Sequence, residues 1–364
     1  MFEHGLSGHL WPIHLHPQAD ELLSSWLTRL RLAYGLAPRA FWPSLSSIPR
    51  RGARDIDRRA PAALLALLAQ RTATSLPRVF ATTLTAYERH LRELCTPTNA
   101  PHWLFVNALQ SQHHGLPALQ YCPQCLRRDA QPYFRRRWRL SLVTLCLIHH
   151  CHLLDRCPGC DAPVTFQHLP GEVETLTRCA RCQGDIRLAE APHVEQTPGH
   201  QEVMVFQRAV LKALTTGWYA LPRHGTVPVC QVLRVCHQLV RILVTRHDAA
   251  SRRAQLCHHI GYPLFELRFP SPYRRTLEVL PVTTRFQLMR LLAWWVADWP
   301  VHFLVVCWEH LLWPRLLLEH MASPPLWYLE AVHQVSWENT LRHLQHRWAE
   351  ERPDWHALEI AVPG

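Results

Sequence analysis

A chain of 364 residues, 48% of them hydrophobic, has material for two or three packed domains and is too apolar for a disordered tail. Its formal net charge of +11 and sequence pI near 9.3 favour polyanionic partners, nucleic acid or a ribonucleoprotein. Arginine supplies nearly all of that charge, Lys212 being the only lysine; a GC-rich genome produces the same skew, so charge alone does not establish nucleic-acid contact.

The first region, residues 1–119, reads as helical. Leu22, Leu23, Trp26, Leu27 and Leu30 lie on one face of a helix that Asp20 is placed to cap and Gly35 to stop. Pro38, Pro43 and Pro49 break up the next stretch. A strong helix then runs from Pro61 to Arg71, with proline in its first turn. After Thr72-Ala73-Thr74-Ser75 a second helix is expected from Leu76 to about Leu84. Two short helices joined by four residues resemble a helix-turn-helix, in which Arg78, Thr82, Thr83 and Thr85 would face a DNA groove. An ordinary helical hairpin is the alternative, and the turn lacks the usual glycine.

The second region, residues 120–192, carries four ligand pairs, each spaced by two residues: Cys122–Cys125, Cys146–His149, Cys157–Cys160 and Cys179–Cys182. Eight soft donors match the need of two tetrahedral zinc ions. Proline or glycine within or just after three of the pairs suits a tight turn whose amides point at sulfur. A disulfide framework belongs to short secreted chains, and a thioredoxin-type site uses one pair rather than four. Two pairings are open. The sequential one gives Cys122, Cys125, Cys146 and His149, then Cys157, Cys160, Cys179 and Cys182; the cross-brace joins Cys122 and Cys125 to Cys157 and Cys160. Intervening loops of twenty and eighteen residues favour the sequential form. His150 and His152 stand as further candidate donors, and Cys151 is expected not to bind. With four protein ligands each, and no His-Glu-x-x-His run, both metals read as structural. Between the first two pairs lies Tyr133-Phe134-Arg135-Arg136-Arg137-Trp138. Trp138 is expected to pack on the zinc knuckles, leaving Arg135, Arg136 and Arg137 exposed for phosphate contact, with Arg78 as a further candidate.

The third region, residues 193–364, is helical again, entered through a linker at Pro198 and Gly199. Helical patterns run from about Glu202 to Leu214, Pro228 to Arg246, Thr284 to Ala297 and Val301 to Leu312, the last two punctuated by Trp299-Pro300 and Trp313-Pro314. The tryptophans there are expected in the core. The apolar stretch Leu291–Leu318 is interrupted by Asp298, His302, Glu309 and Arg315 and does not read as a membrane span. The fold class is therefore mainly α with small zinc-ribbon-like inserts: an N-terminal helix-turn-helix-like domain, a tandem zinc module and a C-terminal helical domain. Thiolate ligands and the lack of an export signal point to the bacterial cytoplasm, in association with the nucleoid.

Trp11-Pro12, Asp20-Glu21-Leu22-Leu23-Ser24-Ser25-Trp26-Leu27, Tyr121-Cys122-Pro123-Gln124-Cys125, Pro132-Tyr133, Trp138-Arg139-Leu140, Cys146 with His149, Leu153, Cys157-Pro158-Gly159-Cys160 and Cys179 with Cys182, taken in order, resemble the TniQ family of Tn7-like transposon target-selection proteins, related to TnsD. The likeness covers most of the chain, more loosely around Trp299-Pro300 and Phe303. It implies a non-enzymatic adaptor that links a target-recognising element to a TnsC-like AAA+ regulator. That element is an RNA-guided Cascade-type CRISPR effector in some members, where the adaptor sits on it, in some types as a homodimer; TnsD-like members read DNA themselves. The modest length here tilts the reading to the RNA-guided adaptor, with relatives in mercury-resistance-type transposons and a zinc-containing transcription factor as alternatives. No phosphate loop ending in Gly-Lys, no Gly-x-Gly-x-x-Gly and no Gly-x-Ser-x-Gly run is present, and no acidic cluster marks a metal-dependent nuclease.

Overall fold

The first helix of the computed structural model, α1 (Leu23–Ala33), buries Leu23, Trp26, Leu27 and Leu30 completely, as its spacing requires. The structure describes residues 10–45, 55–91, 102–105, 116, 118–166, 169–170, 173–194, 197–245, 248–269, 276–310 and 312–335. At the C-terminal end of α1, Gly35 takes φ +62°; the Leu36 amide reaches Arg31 O at 3.1 Å and the Gly35 amide Leu32 O at 2.9 Å. That is the left-handed glycine stop.

The N-terminal end differs from expectation. Leu22 is the cap residue and makes no side-chain cap bond, while Asp20 takes φ +59° and turns toward Arg136 and Arg137. The first-turn donors are satisfied from a distance: Ser24 N donates to Asp57 Oδ1 at 2.8 Å, Leu23 N to Thr82 O and Leu22 N to Phe134 O, both at 2.9 Å. A capping residue need not be local when the tertiary fold brings a carboxylate to the orphan amides.

Helix α2 (Pro38–Ser44) forms where prolines suggested only a broken stretch; Pro38 opens it, at a position that needs no amide donor. Helices α3 (Ala62–Arg71) and α4 (Leu76–Phe80) pack together. The second stops four residues short of Leu84, because the Thr82 and Thr83 hydroxyls bond back to Val79 O and Phe80 O at 2.7 and 2.8 Å and compete with continued helix. Thr82 and Thr83 are therefore buried rather than offered to a groove. Helix α5 (Thr85–Leu91) follows.

The described residues of 118–194 are mostly irregular, joined by isolated bridges and holding, besides the short 3-10 turns Arg136–Arg139 and Ile186–Leu188, one α-helix, α6 (Pro123–Arg128). The C-terminal part is α7 (His200–Thr216), an antiparallel hairpin of β1 (Trp218–Leu221) and β2 (Gly225–Pro228), α8 (Val229–Val244), α9 (Ala249–His259), α10 (Val282–Ala297), α11 (Val301–Glu309), α12 (Pro314–Leu317) and a helical run at 326–335. The hairpin and α9 go beyond the sequence reading. Gly199 is packed rather than slack: at φ +81° it abuts Tyr262, whose hydroxyl would lie 2.4 Å from an added Cβ. Trp299, Phe303, Trp327 and Tyr328 stack in the core. No single described helix is long and apolar enough to cross a membrane, and the apolar pair α10–α11 is bent by 111°.

Two cores organise these elements. The smaller joins Trp11, α1, Phe41, α3 and Val79. The larger runs from Leu22, Leu84, Tyr87 and Leu91 through the cysteine-rich segment to the C-terminal helices. Arg285 of α10, fully buried, ties the last two together: it donates to Leu280 O (3.0 Å), Ser141 O (2.7 Å) and Gln120 Oε1 (3.0 Å), faces Asp155 at 3.4 Å and lies over the Phe105 ring. Burial draws its pKa down to about 10 against the pull of Asp155.

Candidate metal centres and the arginine-rich turn

Three of the four ligand pairs share one backbone design. The amides of Cys146, Cys157 and Cys179 donate to the carbonyls five residues on (Cys151, Ala162 and Gly184) at 2.8, 2.9 and 2.8 Å. The amides of His150, Asp161 and Gln183 return to Cys146 O, Cys157 O and Cys179 O at 3.0, 3.0 and 2.9 Å. Those three residues follow the second ligand of each pair and take φ of 47°, 54° and 59°, the left-handed turn that closes a knuckle. The fourth pair is built on α6: Cys122 caps the helix and accepts from Cys125 N at 3.4 Å.

This geometry gathers the donors sequentially. In one set the ligand atoms of Cys122, Cys125, Cys146 and His149 lie within 4.8 Å of one another; in the other those of Cys157, Cys160, Cys179 and Cys182 do. The cross-brace grouping does not occur. His149 Nδ1 lies 3.5, 3.3 and 3.5 Å from the sulfurs of Cys122, Cys125 and Cys146. The sulfurs of Cys125 and Cys146, Cys157 and Cys182, and Cys160 and Cys179 are each 3.6 Å apart. A tetrahedral zinc with ordinary bond lengths sets edges of about 3.8 Å between sulfurs and about 3.6 Å between sulfur and nitrogen. Both sets fit zinc, and none of their cysteines is in a disulfide. The first is buried but for half-buried His149; the second reaches the surface at Cys182, whose thiol the Gly184 amide draws down to about 7. His152 is not in either set; it packs edge-on against Phe286 with ring centroids 4.6 Å apart.

The arginine run is placed differently from expectation. Arg135 is only 4% exposed, forms a two-pronged pair with Asp129 at 2.8 and 3.1 Å and lies over the rings of Tyr133 and Trp138. Arg136 and Arg137 are half-buried and share Asp20, at 3.2 and 3.3 Å, with Arg136 over the Tyr87 ring. A fork of donors beside a carboxylate is already spent, so Arg135 is not a free phosphate contact. Trp138 is buried against Phe134. Arg78 is exposed, with Nη2 donating to Pro17 O at 2.8 Å. The exposed arginines nearest the metal ligands in sequence are Arg127 and Arg128 on α6, and Arg178 and Arg181 beside Cys179 and Cys182, none of which the sequence reading singled out.

It also missed Arg139, next to the run. Buried, it pairs with Asp57 Oδ2 at 2.9 Å and with Asp55, and donates to Phe105 O at 3.0 Å. Asp57, buried completely, also accepts from the amide and hydroxyl of Ser24; burial holds its pKa up to about 6 against the pull of Arg139. Partners 82 residues apart leave no local pattern to read.

Residues 12–153 match the family model TniQ. Over that stretch the chain is similar to the TniQ family. The matched stretch takes in α1 to α6, the arginine-rich turn and the whole first ligand set, and stops before Cys157. No curated protein matches the chain.

Proposed function

We propose that this chain is a TniQ-type, non-enzymatic target-selection adaptor that bridges a Cascade-type, RNA-guided CRISPR effector to a TnsC-like AAA+ regulator. The carrying observation is the family match over residues 12–153 in a chain whose sequence holds none of the phosphate-loop, dinucleotide or nucleophile-elbow motifs of an enzyme. Two structural zinc ions, one on Cys122, Cys125, Cys146 and His149 and one on Cys157, Cys160, Cys179 and Cys182, would hold the irregular segment 120–192 as a module between the helical regions 1–119 and 193–364. Zinc supplies folding free energy there, and no open coordination position for chemistry.

The helix-turn-helix-like pair α3–α4 is the first partner surface in this reading. Its outer face exposes Leu76 and Phe80 around Arg78, an apolar character that suits a protein partner better than base edges. The exposed arginines Arg127, Arg128, Arg178 and Arg181 suit the ribonucleoprotein or its target DNA. Co-purification of the full chain with the effector and with the AAA+ regulator tests the adaptor. Binding to neither, together with protection of a unique DNA site by the chain alone, would replace it with a TnsD-like direct reader.

A further inference from the structure

A fifth thiol, that of Cys151, lies beside the first ligand set and outside its four mutually close donors. Cys151 Sγ lies 3.7 Å from Cys122 Sγ, the edge length of a thiolate tetrahedron, about 3.8 Å, and the side chain is 0% exposed. Its position holds a donor in this knuckle alone of the three. The residue whose carbonyl closes each knuckle is Cys151, Ala162 and Gly184; the second and third offer a methyl and a hydrogen, the first a thiol. Its backbone is pinned on both sides. Cys151 bridges His193, Leu145 bridges His152, and His152 N donates to Pro192 O at 3.0 Å. The sulfur is thus held rigidly beside the centre, whereas His149 is half-buried and turns Nε2 outward to the exposed Arg128, 3.3 Å away. A buried structural thiol would be served equally by an apolar neighbour; this one is set against a metal-ligand sulfur.

We propose that Cys151 is a reserve ligand of the first metal centre, able to convert its three-thiolate, one-imidazole set into a four-thiolate set when His149 is lost or displaced. In that exchange the metal–Nδ1 bond of His149 breaks, the Cys151 thiol gives its proton to solvent, and a metal–Sγ bond forms, with no change of oxidation state. The inference rests on the two-zinc reading above.

The test uses the full chain loaded with Co(II), whose thiolate charge-transfer absorption counts sulfur ligands, in wild type, His149→Ala, Cys151→Ser and the double variant. Wild type and Cys151→Ser should each hold two ions. His149→Ala should also hold two, with charge transfer at the first centre stronger by about a third as three thiolates become four. The double variant should hold one. A second measurement needs no His149 variant: zinc release to a chromogenic chelator should be several-fold faster from Cys151→Ser than from wild type. One ion in His149→Ala, two in the double variant, or unchanged release from Cys151→Ser, with wild type at two, would overturn the reserve ligand alone. Fewer than two ions in wild type would overturn the metal reading and this proposal with it.

Discussion

Asp57 performs two jobs that separate substitutions can pull apart. It caps α1 through Ser24 N and Ser24 Oγ, both at 2.8 Å, and it answers the buried Arg139 guanidinium at 2.9 Å. Asp57→Ala removes both. Losing a cap costs about 1 kcal/mol, and leaving a buried guanidinium short of a partner costs roughly 3–5 kcal/mol. Asp55 and Phe105 O still serve Arg139, so the lower end applies and the expected total is about 4 kcal/mol. Asp57→Asn keeps an acceptor for the Ser24 amide and loses the charge, so about 2–3 kcal/mol is expected. Urea unfolding of zinc-saturated protein at pH 7, followed by far-ultraviolet circular dichroism and tryptophan fluorescence, reads both. A cost below about 1 kcal/mol for Asp57→Ala, or a larger cost for Asn than for Ala, would refute the assignment of cap and counter-ion to this one carboxylate.

Elemental analysis should find two zinc ions per chain; Cys157→Ser should lose the second and loosen segment 157–194, while Cys151→Ser should leave the content at two. Each site is worth on the order of 10 kcal/mol to folding, so a strong chelator should cost the fold its tertiary signal, and a chelator-resistant melting curve would contradict the structural role. Charge reversal of Arg127 and Arg128 should lower the salt slope of nucleic-acid binding by about one per lost phosphate contact; reversal of Arg135 should instead destabilise the fold, and equal slopes for all three would argue against that division. His237, stacked on His102 with ring centroids 3.7 Å apart, is held down to about 3 by burial, with His102 and Arg241 adding to it. Its folded pKa lies below the ordinary 6.5, so its contribution is present above pH 6.5 and is lost as pH falls toward 3, by roughly 5 kcal/mol at most. His237→Gln should flatten that arm of the stability–pH curve, and an unchanged acid arm would show that other groups carry it.

What the sequence determined by itself is local. A two-residue spacing between donors is a property of one turn, so Cys146–His149, Cys157–Cys160 and Cys179–Cys182 could be read as knuckles before any fold was known, and Gly35 could be read as a helix stop. The helical face of α1 and the burial of Trp26 and Trp138 followed from periodicity and from the size of the rings. What only the tertiary structure decided is which partner each polar group meets. Asp20 looked like a cap and became the counter-ion of Arg136, 116 residues away; the cap came from Asp57, 33 residues on. Arg135 looked exposed and is buried because Asp129 and two aromatic rings receive it. A guanidinium in water and one held by a carboxylate have the same sequence signature, since the energy that separates them depends on distance and burial. Local spacing fixes neither.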